Sequence, residues 1–246
     1  MTRRALYGLS AALLLTIAMS NGAVRAQDYD AIVASPDRSE ADRQTDQRRA
    51  PAKMLAFTGI KTGMTVMDIE ANAGYSTELL ARAVGPTGKV YAQDSQAVID
   101  GLVKDKFDVR AQKDAMKNVV HVVRPFDDPV PSDVSNLDLI TIFYAYHDIT
   151  YMPVDRTAMN KKLFAALKPG GVLVIADHSA RAGDGVSVAK TFHRIEEATL
   201  RQEVEAAGFK LVGQGDFMRN PEDTRDFIVF KPKVPVDNFA LKFQKP

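Results

Sequence analysis

Blocks of apolar residues recur along this chain at two different periods. Thr65–Ile69 is a short apolar run of the buried-strand type. Tyr75–Val84 then reads as a helix with Leu79, Leu80 and Ala83 on one face, Ser76 as its cap and Glu78 in its first turn. Gly85-Pro86-Thr87-Gly88 stops it, and Lys89–Gln93 is the second strand. A charged helical stretch near 96–116 leads to a third strand, Val119–Val123. Leu137–Tyr144, continuously apolar, has the pattern of a strand covered on both faces. A helix over Asp155–Leu167 ends at Lys168-Pro169-Gly170-Gly171, a tight turn into a fifth strand, Val172–Ala176. A helix over Val188–Ala207 follows, ending at Gly208, and Phe209–Val212, Phe227–Phe230 and Phe239–Phe243 are late strand candidates. The alternation predicts an α/β protein: a doubly wound, mostly parallel seven-stranded sheet in a three-layer αβα sandwich, one domain over 51–246.

The pattern upstream is different. Arg3 and Arg4 precede the apolar run ALYGLSAALLLTIAMS, shorter than the ~20 residues a membrane span needs. Ala23-Val24-Arg25-Ala26 then offers small residues where a signal peptidase reads, so 1–26 is a signal peptide cleaved before Gln27, with an uncleaved anchor as the alternative. The arginine pair weakly matches the twin-arginine type of signal. The expectation is a periplasmic or secreted protein, free of the membrane after cleavage. Residues 27–50 are polar and charged, a loose arm leading into a helix. Cleavage leaves 29 basic against 31 acidic residues, which gives no electrostatic footprint for nucleic acid. No cysteine is present, which excludes disulfides, thiolate metal sites and a cysteine nucleophile.

In sheets of this kind ligands bind beyond the carboxyl ends of the strands. Asp68-Ile69-Glu70-Ala71-Asn72-Ala73-Gly74 occupies that place after the first strand. Asp94 ends the second strand, 20 residues after Gly74, a spacing at which a carboxylate accepts hydrogen bonds from ribose hydroxyls. Its plain alternative is a solvated acid capping the next helix. Asp127 and Asp128 follow the third strand, either near an adenine or as loop caps before Pro129. After the fourth strand come Tyr144, Tyr146, His147 and Asp148, after the fifth Asp177 and His178, and further on His193 and Arg194. His147 has the chemistry of a proton acceptor, with Asp148 or Asp177 to hold its tautomer. It could equally cap its strand. His147, Asp177, His178 and His193 could also ligate a divalent metal, but no His-x-x-x-His spacing supports that, and it ranks below the acid–base reading.

The two segments 64–94 and 163–177, in this order, resemble class I S-adenosylmethionine-dependent methyltransferases, which implies a Rossmann-like fold and that cofactor. Glu40-Ala41-Asp42-Arg43, Arg49-Ala50-Pro51, His147-Asp148, Asp177-His178, His193-Arg194-Ile195-Glu196 and the closing Leu241–Pro246 extend the likeness to a group of exported bacterial proteins described as predicted methyltransferases. The usual methyltransferase loop has glycine at three alternating positions after its acidic residue; here these hold Glu70, Asn72 and Gly74. Asn72 tolerates positive φ, whereas Glu70 brings bulk and negative charge toward a cationic cofactor. The resemblance implies Asp68, Glu70, Asn72, Gly74, Asp94 and Asp127 on the cofactor side, His147 with Asp148 on the acceptor side, and a small-molecule acceptor. Adenosylmethionine is a cytoplasmic metabolite, which sits uneasily with export. Two other classes stand beside this one: an exported ligand-binding protein on a methyltransferase fold, and a His/Asp metal-dependent hydrolase or lyase.

Overall fold

The computed structural model describes residues 27–246; the predicted signal peptide, 1–26, lies outside them. The arm over 27–50 is helical rather than loose. α1 (Tyr29–Val33) is capped by Asp28, and α2 (Glu40–Arg49) by Ser39. Its polar residues are satisfied within the fold: Arg38 forks onto Asp46 at 2.7 and 2.8 Å, and Arg110 onto Asp42 at 2.9 and 2.8 Å. A left-handed Ala50 turns the chain into α3 (Pro51–Thr58), where Pro51 occupies the first turn, the position a missing N–H tolerates.

The sheet elements follow the periodicity closely. β1 (Thr65–Ile69), α4 (Tyr75–Val84) and β2 (Lys89–Asp94) stand where the pattern puts them. The stretch near 96–116 is broken rather than one helix: α5 (Gln96–Val98), a π-helical turn at Ile99–Val103, α6 (Lys106–Ala111) and a 3₁₀ turn at Asp114–Met116. The break falls at Lys104, whose φ of 48° no helix accommodates. β3 (Val119–Val123) and β4 (Leu137–Phe143) lead to a single turn of helix, α7 (Tyr146–Ile149). α8 (Arg156–Ala166) is capped by Asp155.

β5 spans Leu167–His178, longer than the sequence implies, because Lys168–Gly171 is looped out within the strand. Leu137 pairs with Leu167 and Leu139 with Val172, so four residues bulge between two consecutive pairings. Gly170, at φ 76°, donates its N–H to the Lys245 carbonyl, and a Cβ on Gly171 would meet carbonyls of Lys168 and Leu137 at 2.9 and 3.0 Å. The helix expected over 188–207 is two pieces, α9 (Ala189–Phe192) and α10 (Glu197–Ala206), divided where His193 adopts φ 54°. β6 (Lys210–Gly215) and β7 (Asn238–Gln244) complete the sheet. Phe227–Phe230 is turn, not strand: Arg194 Nε donates to the Phe227 carbonyl and Val229 N–H to that of Phe192, which removes these groups from any ladder.

The seven strands lie in the order β3-β2-β1-β4-β5-β7-β6, with β7 antiparallel to both neighbours. The sheet is therefore mixed, parallel except for that strand. β1 and β4 are central neighbours, and their carboxyl ends open one crevice. No helix among the described residues is long and apolar enough to cross a membrane.

Candidate active site

The loop from β1 to α4 alternates in backbone hand. Glu70, Asn72 and Gly74 all lie in the left-handed region, at φ 56°, 54° and 78°. For a residue with a Cβ that region costs ~1–2 kcal/mol, so the surroundings must hold the loop there. They do so with four hydrogen bonds. Asn72 N–H donates to Asp94 Oδ1 at 2.9 Å, Asn72 Nδ2 to the Glu70 carbonyl, Ala71 N–H to Gln93 and Gly74 N–H to Ala71. Gly74, rather than the expected Ser76, is the helix cap. Ser76 instead donates its hydroxyl to Asp68 Oδ2, joined there by Thr77, while Thr141 reaches Oδ1. Asp68 is thus an anchor beneath the loop, and burial, partly offset by the three hydroxyls, pushes its carboxyl up to about 6.

Asp94 is fully buried at the end of β2. Besides Asn72, it meets His121 Nε2 at 3.1 Å, and the His121 ring stacks on Phe107 at 4.0 Å. Burial raises the Asp94 carboxyl, with His121 and the Asn72 N–H pulling the other way. His121 is a residue the sequence reading passed over; its signal was a lone imidazole inside the apolar strand VVHVV, in register beside Ala92. Asp127 lies half-buried in the turn after β3, while its neighbour Asp128 pairs with Arg124 and Lys162.

Across the crevice, α7 delivers the second group. Asp177, at the end of β5, accepts the His147 N–H at 2.9 Å, the His147 ring Nδ1 at 2.6 Å and the His178 N–H at 2.8 Å. The far nitrogen of His147, Nε2, lies 3.1 Å from Asp148 Oδ1 and 3.3 Å from His193 Nδ1. His193 Nδ1 is itself 2.9 Å from Asp148 Oδ1, and the Tyr151 hydroxyl donates to that oxygen at 2.5 Å. Burial opposes a charge on His147, but Asp177 and Asp148 outweigh it and push the imidazolium up to about 10. Burial raises Asp148 and His147 more than reverses this, leaving it at about 2. The two carboxylates thus favour the charged form of the His147 ring, against the proton-accepting form expected from its type. His178 differs: burial drives it down to about 4, and its Nδ1 faces Asn238 Oδ1 at 2.5 Å.

The structure brings the two sides together at Glu70. Its side chain is 4% exposed, and Oε2 has no hydrogen-bond partner. Burial, then the charge of Asp148, hold its carboxyl well above the usual range. Arg49, which the pattern gave no role, stacks over Tyr144 and Tyr75 with its guanidinium 4.4 and 5.3 Å from the ring centres. Next to it a cavity of about 30 Å³, lined by Met54, Leu55, Tyr75 and Phe143, is the space left beside the loop. Ligand pockets run to several hundred Å³, so this cavity alone does not hold a cofactor. On the α7 side the rim is aromatic: Phe230, 66% exposed, stands 4.7 Å from the His193 ring, with Tyr151 opposite at 6.1 Å.

Known proteins share the fold that carries these residues. Among curated proteins, a ubiquinone/menaquinone biosynthesis C-methyltransferase UbiE of Idiomarina loihiensis is 25% identical over 186 residues, 75% of this chain and 65% of the relative. The chain thus spans less than two thirds of that relative's length. Among solved structures, a SAM dependent methyltransferase from Aquifex aeolicus superposes with a TM-score of 0.61 at 22% identity, over 89% of this chain and all of that one. The [4+2]-cyclase SpnF does so at 0.58 and 16%, over 84% of this chain and 82% of its own, so the same fold carries more than one chemistry. The family described as "Methyltransferase domain" matches residues 41–214, and with most of the chain inside that match the protein belongs to this methyltransferase family.

Proposed function

We propose that the protein transfers a methyl group from S-adenosylmethionine to a small organic acceptor bound between the β1–α4 loop and α7. The observation that carries the reading is the run of left-handed residues Glu70, Asn72 and Gly74, tied to Asp94 through the Asn72 N–H. Two glycines are replaced, yet all three positions keep the left-handed backbone that glycine favours, which supports this reading. The named activity of the UbiE relatives, C-methylation in quinone biosynthesis, favours a small acceptor over a macromolecule.

The residues fit the cofactor in charge. The orphaned Oε2 of Glu70 is a buried acceptor without a hydrogen-bond partner, in a carboxyl that forms no ion pair with Lys or Arg among the described residues, and the cofactor carries both an ammonium and a sulfonium. Asp94, with its second lone pairs free, would hold the ribose hydroxyls. When bound, the sulfonium supplies an electrophilic methyl carbon, and in-line positioning of the acceptor does most of the catalysis. Asp177 fixes the His147 ring with Nε2 toward the acceptor side. Asp148, held ionised, meets Tyr151, His193 and His147 at Oδ1, and its Oδ2 would take a hydrogen bond from an acceptor hydroxyl. Tyr151 and Phe230 give an aromatic or apolar acceptor a surface to lie on.

Calorimetric titration with S-adenosylmethionine and S-adenosylhomocysteine tests the reading. Saturable binding that Asp94→Ala abolishes is the expected result. Glu70→Gln should weaken adenosylmethionine about tenfold, the equivalent of ~1.4 kcal/mol, and narrow its preference over the uncharged-sulfur product. No binding of either ligand at millimolar concentration removes the proposal.

A further inference from the structure

Three donor atoms on the acceptor wall already stand as the face of a coordination polyhedron. His147 Nε2, Asp148 Oδ1 and His193 Nδ1 are separated by 3.1, 2.9 and 3.3 Å. With metal–ligand bonds of about 2.0–2.1 Å, neighbouring ligand atoms lie about 2.9 Å apart at octahedral angles and about 3.4 Å apart at tetrahedral ones. The observed edges span that interval. We propose that these three side chains bind one divalent first-row transition-metal ion, of the two-histidine, one-carboxylate type that suits zinc, manganese or iron(II).

The surroundings have the features such a site needs. Asp177 binds the other nitrogen of His147 at 2.6 Å, which fixes Nε2 as the ligating atom, as a carboxylate behind a metal-bound histidine does. Asp148, Asp177 and Glu70 bring three carboxylates to one place, and none forms an ion pair with Lys or Arg among the described residues. Glu70 Oε2 is buried there without a partner. An ion can reach the site from the His193 side, where the side chain is 18% exposed beneath Tyr151 and Phe230. The left-handed turn at His193, which ends α9 early, is what swings its ring toward Asp148. His178 is outside the site because Asn238 holds its Nδ1, and Asp177 acts behind His147 rather than on the ion. The metal set therefore differs from the one the sequence offered: Asp148 enters it, and Asp177 and His178 leave it.

The site would leave ligand positions open toward the aromatic rim, where an acceptor oxygen could bind the ion. That use rests on the methyl-transfer reading; the binding of metal does not. The test is a titration of untagged, chelator-stripped protein, without cofactor, with Zn2+, Mn2+ and Co2+ singly by calorimetry, with the visible d–d band of Co2+ as a second readout. One equivalent should bind with a dissociation constant below 100 µM. Asp148→Asn and His193→Asn should each lose it at least 100-fold. Asparagine is chosen at 193 because it tolerates the left-handed backbone, so the variant keeps the turn and loses the imidazole. Asp177→Asn should weaken binding 10- to 100-fold. Absence of binding and of the Co2+ band at 100 µM, or binding that survives His193→Asn, overturns the proposal and leaves a metal-free hydrogen-bond chain.

Discussion

The loop after β1 and the cluster after β4 face each other across one crevice, but they are built from different materials. The loop is local. Seven consecutive residues, Asp68 to Gly74, set its course through their own φ values, and Asp94 on the adjacent strand is its main outside tie. The cluster is assembled from α7, the end of β5 and the junction of α9 with α10, and its functional groups meet through side chains, with one backbone bridge, Ile195 to Ser179, tying the junction to the end of β5. A backbone-built site survives changes of side chain, which is how glutamate and asparagine come to stand where glycines are usual. A side-chain-built site depends on every segment being delivered to the right place. The next measurements test this contrast.

The largest effect should come from the buried ion pair that delivers the third segment. Arg194 and Asp223 are both fully buried, 2.8 Å apart, and Arg194 also donates to the carbonyls of Ser179 and Phe227. Asp223 accepts from the backbone N–H groups of Arg225 and Asp237 as well. Removing one partner strands the other charge in the interior, at a cost of ~3–5 kcal/mol. Asp223→Ala should therefore lower the free energy of unfolding in urea by about that amount. It should also loosen His193 and Phe230, seen as faster hydrogen exchange from 192 to 230 than around 68–74. A loss below ~1 kcal/mol, or equal exchange in both regions, would mean that the cluster is not held by this pair.

On the other side, Gly74 is the one loop glycine left, and it should not be replaceable. A Cβ there would lie 2.9 Å from Arg110 Cδ and 3.3 Å from the Phe107 ring, at φ 78°. Arg110 cannot easily withdraw, since Asp42 and Glu78 both hold its guanidinium. Gly74→Ala should cost ~2 kcal/mol by thermal or chemical unfolding. A neutral outcome would show that the loop is softer than its hydrogen bonds imply.

The same contrast explains what was legible in the sequence. β1 and α4 were readable to the residue because their apolar residues are the buried ones, and β3 because its β-branched run marks a strand even though Val120 and Val123 are exposed. The break at His193 was not, because residues 188–207 carry a continuous helical pattern. What interrupts it is a tertiary tie, the bridge of Ile195 to Ser179 with Arg194 drawn into the core. Phe227–Phe230 looked like a strand for a related reason: its apolar residues pack against Arg194 and His193 rather than a neighbouring strand. The candidate residues were found as types at strand ends. Their pairing was not, since nothing in the spacing says that Asp177 belongs to His147 while Asp148 meets His193. Arg38, Asp42 and Arg49 looked like solvated charge because a polar helix gives no periodic sign that its ions are paired inside.

The smallest expected change, and the one that joins the two regions, is at Glu70. Its carboxyl is held well above its usual value by burial and then by Asp148, so the folded protein binds that proton more tightly than the unfolded chain does. The sign follows from that inequality. Below the unfolded value the group is protonated in both states and costs nothing. As pH rises through the raised folded value, the buried charge has to form or the proton be retained against solvent, and stability falls. Glu70→Gln removes this burden without changing the shape of the side chain. It should leave stability unchanged near pH 4 and raise it by ~1 kcal/mol at neutral pH, with the gap opening steadily between, as urea midpoints at a series of pH values would show. The same variant is expected to bind adenosylmethionine more weakly, so stability and binding should move in opposite directions, as they do where an unfavourable buried group is kept for a ligand. If Glu70→Gln gains stability and binds as well as before, the glutamate serves neither the cofactor nor the fold. If it loses stability at every pH, the carboxylate has a partner on Asp148, His147 or an ion between them, and the orphaned oxygen belongs to the metal wall rather than to the loop.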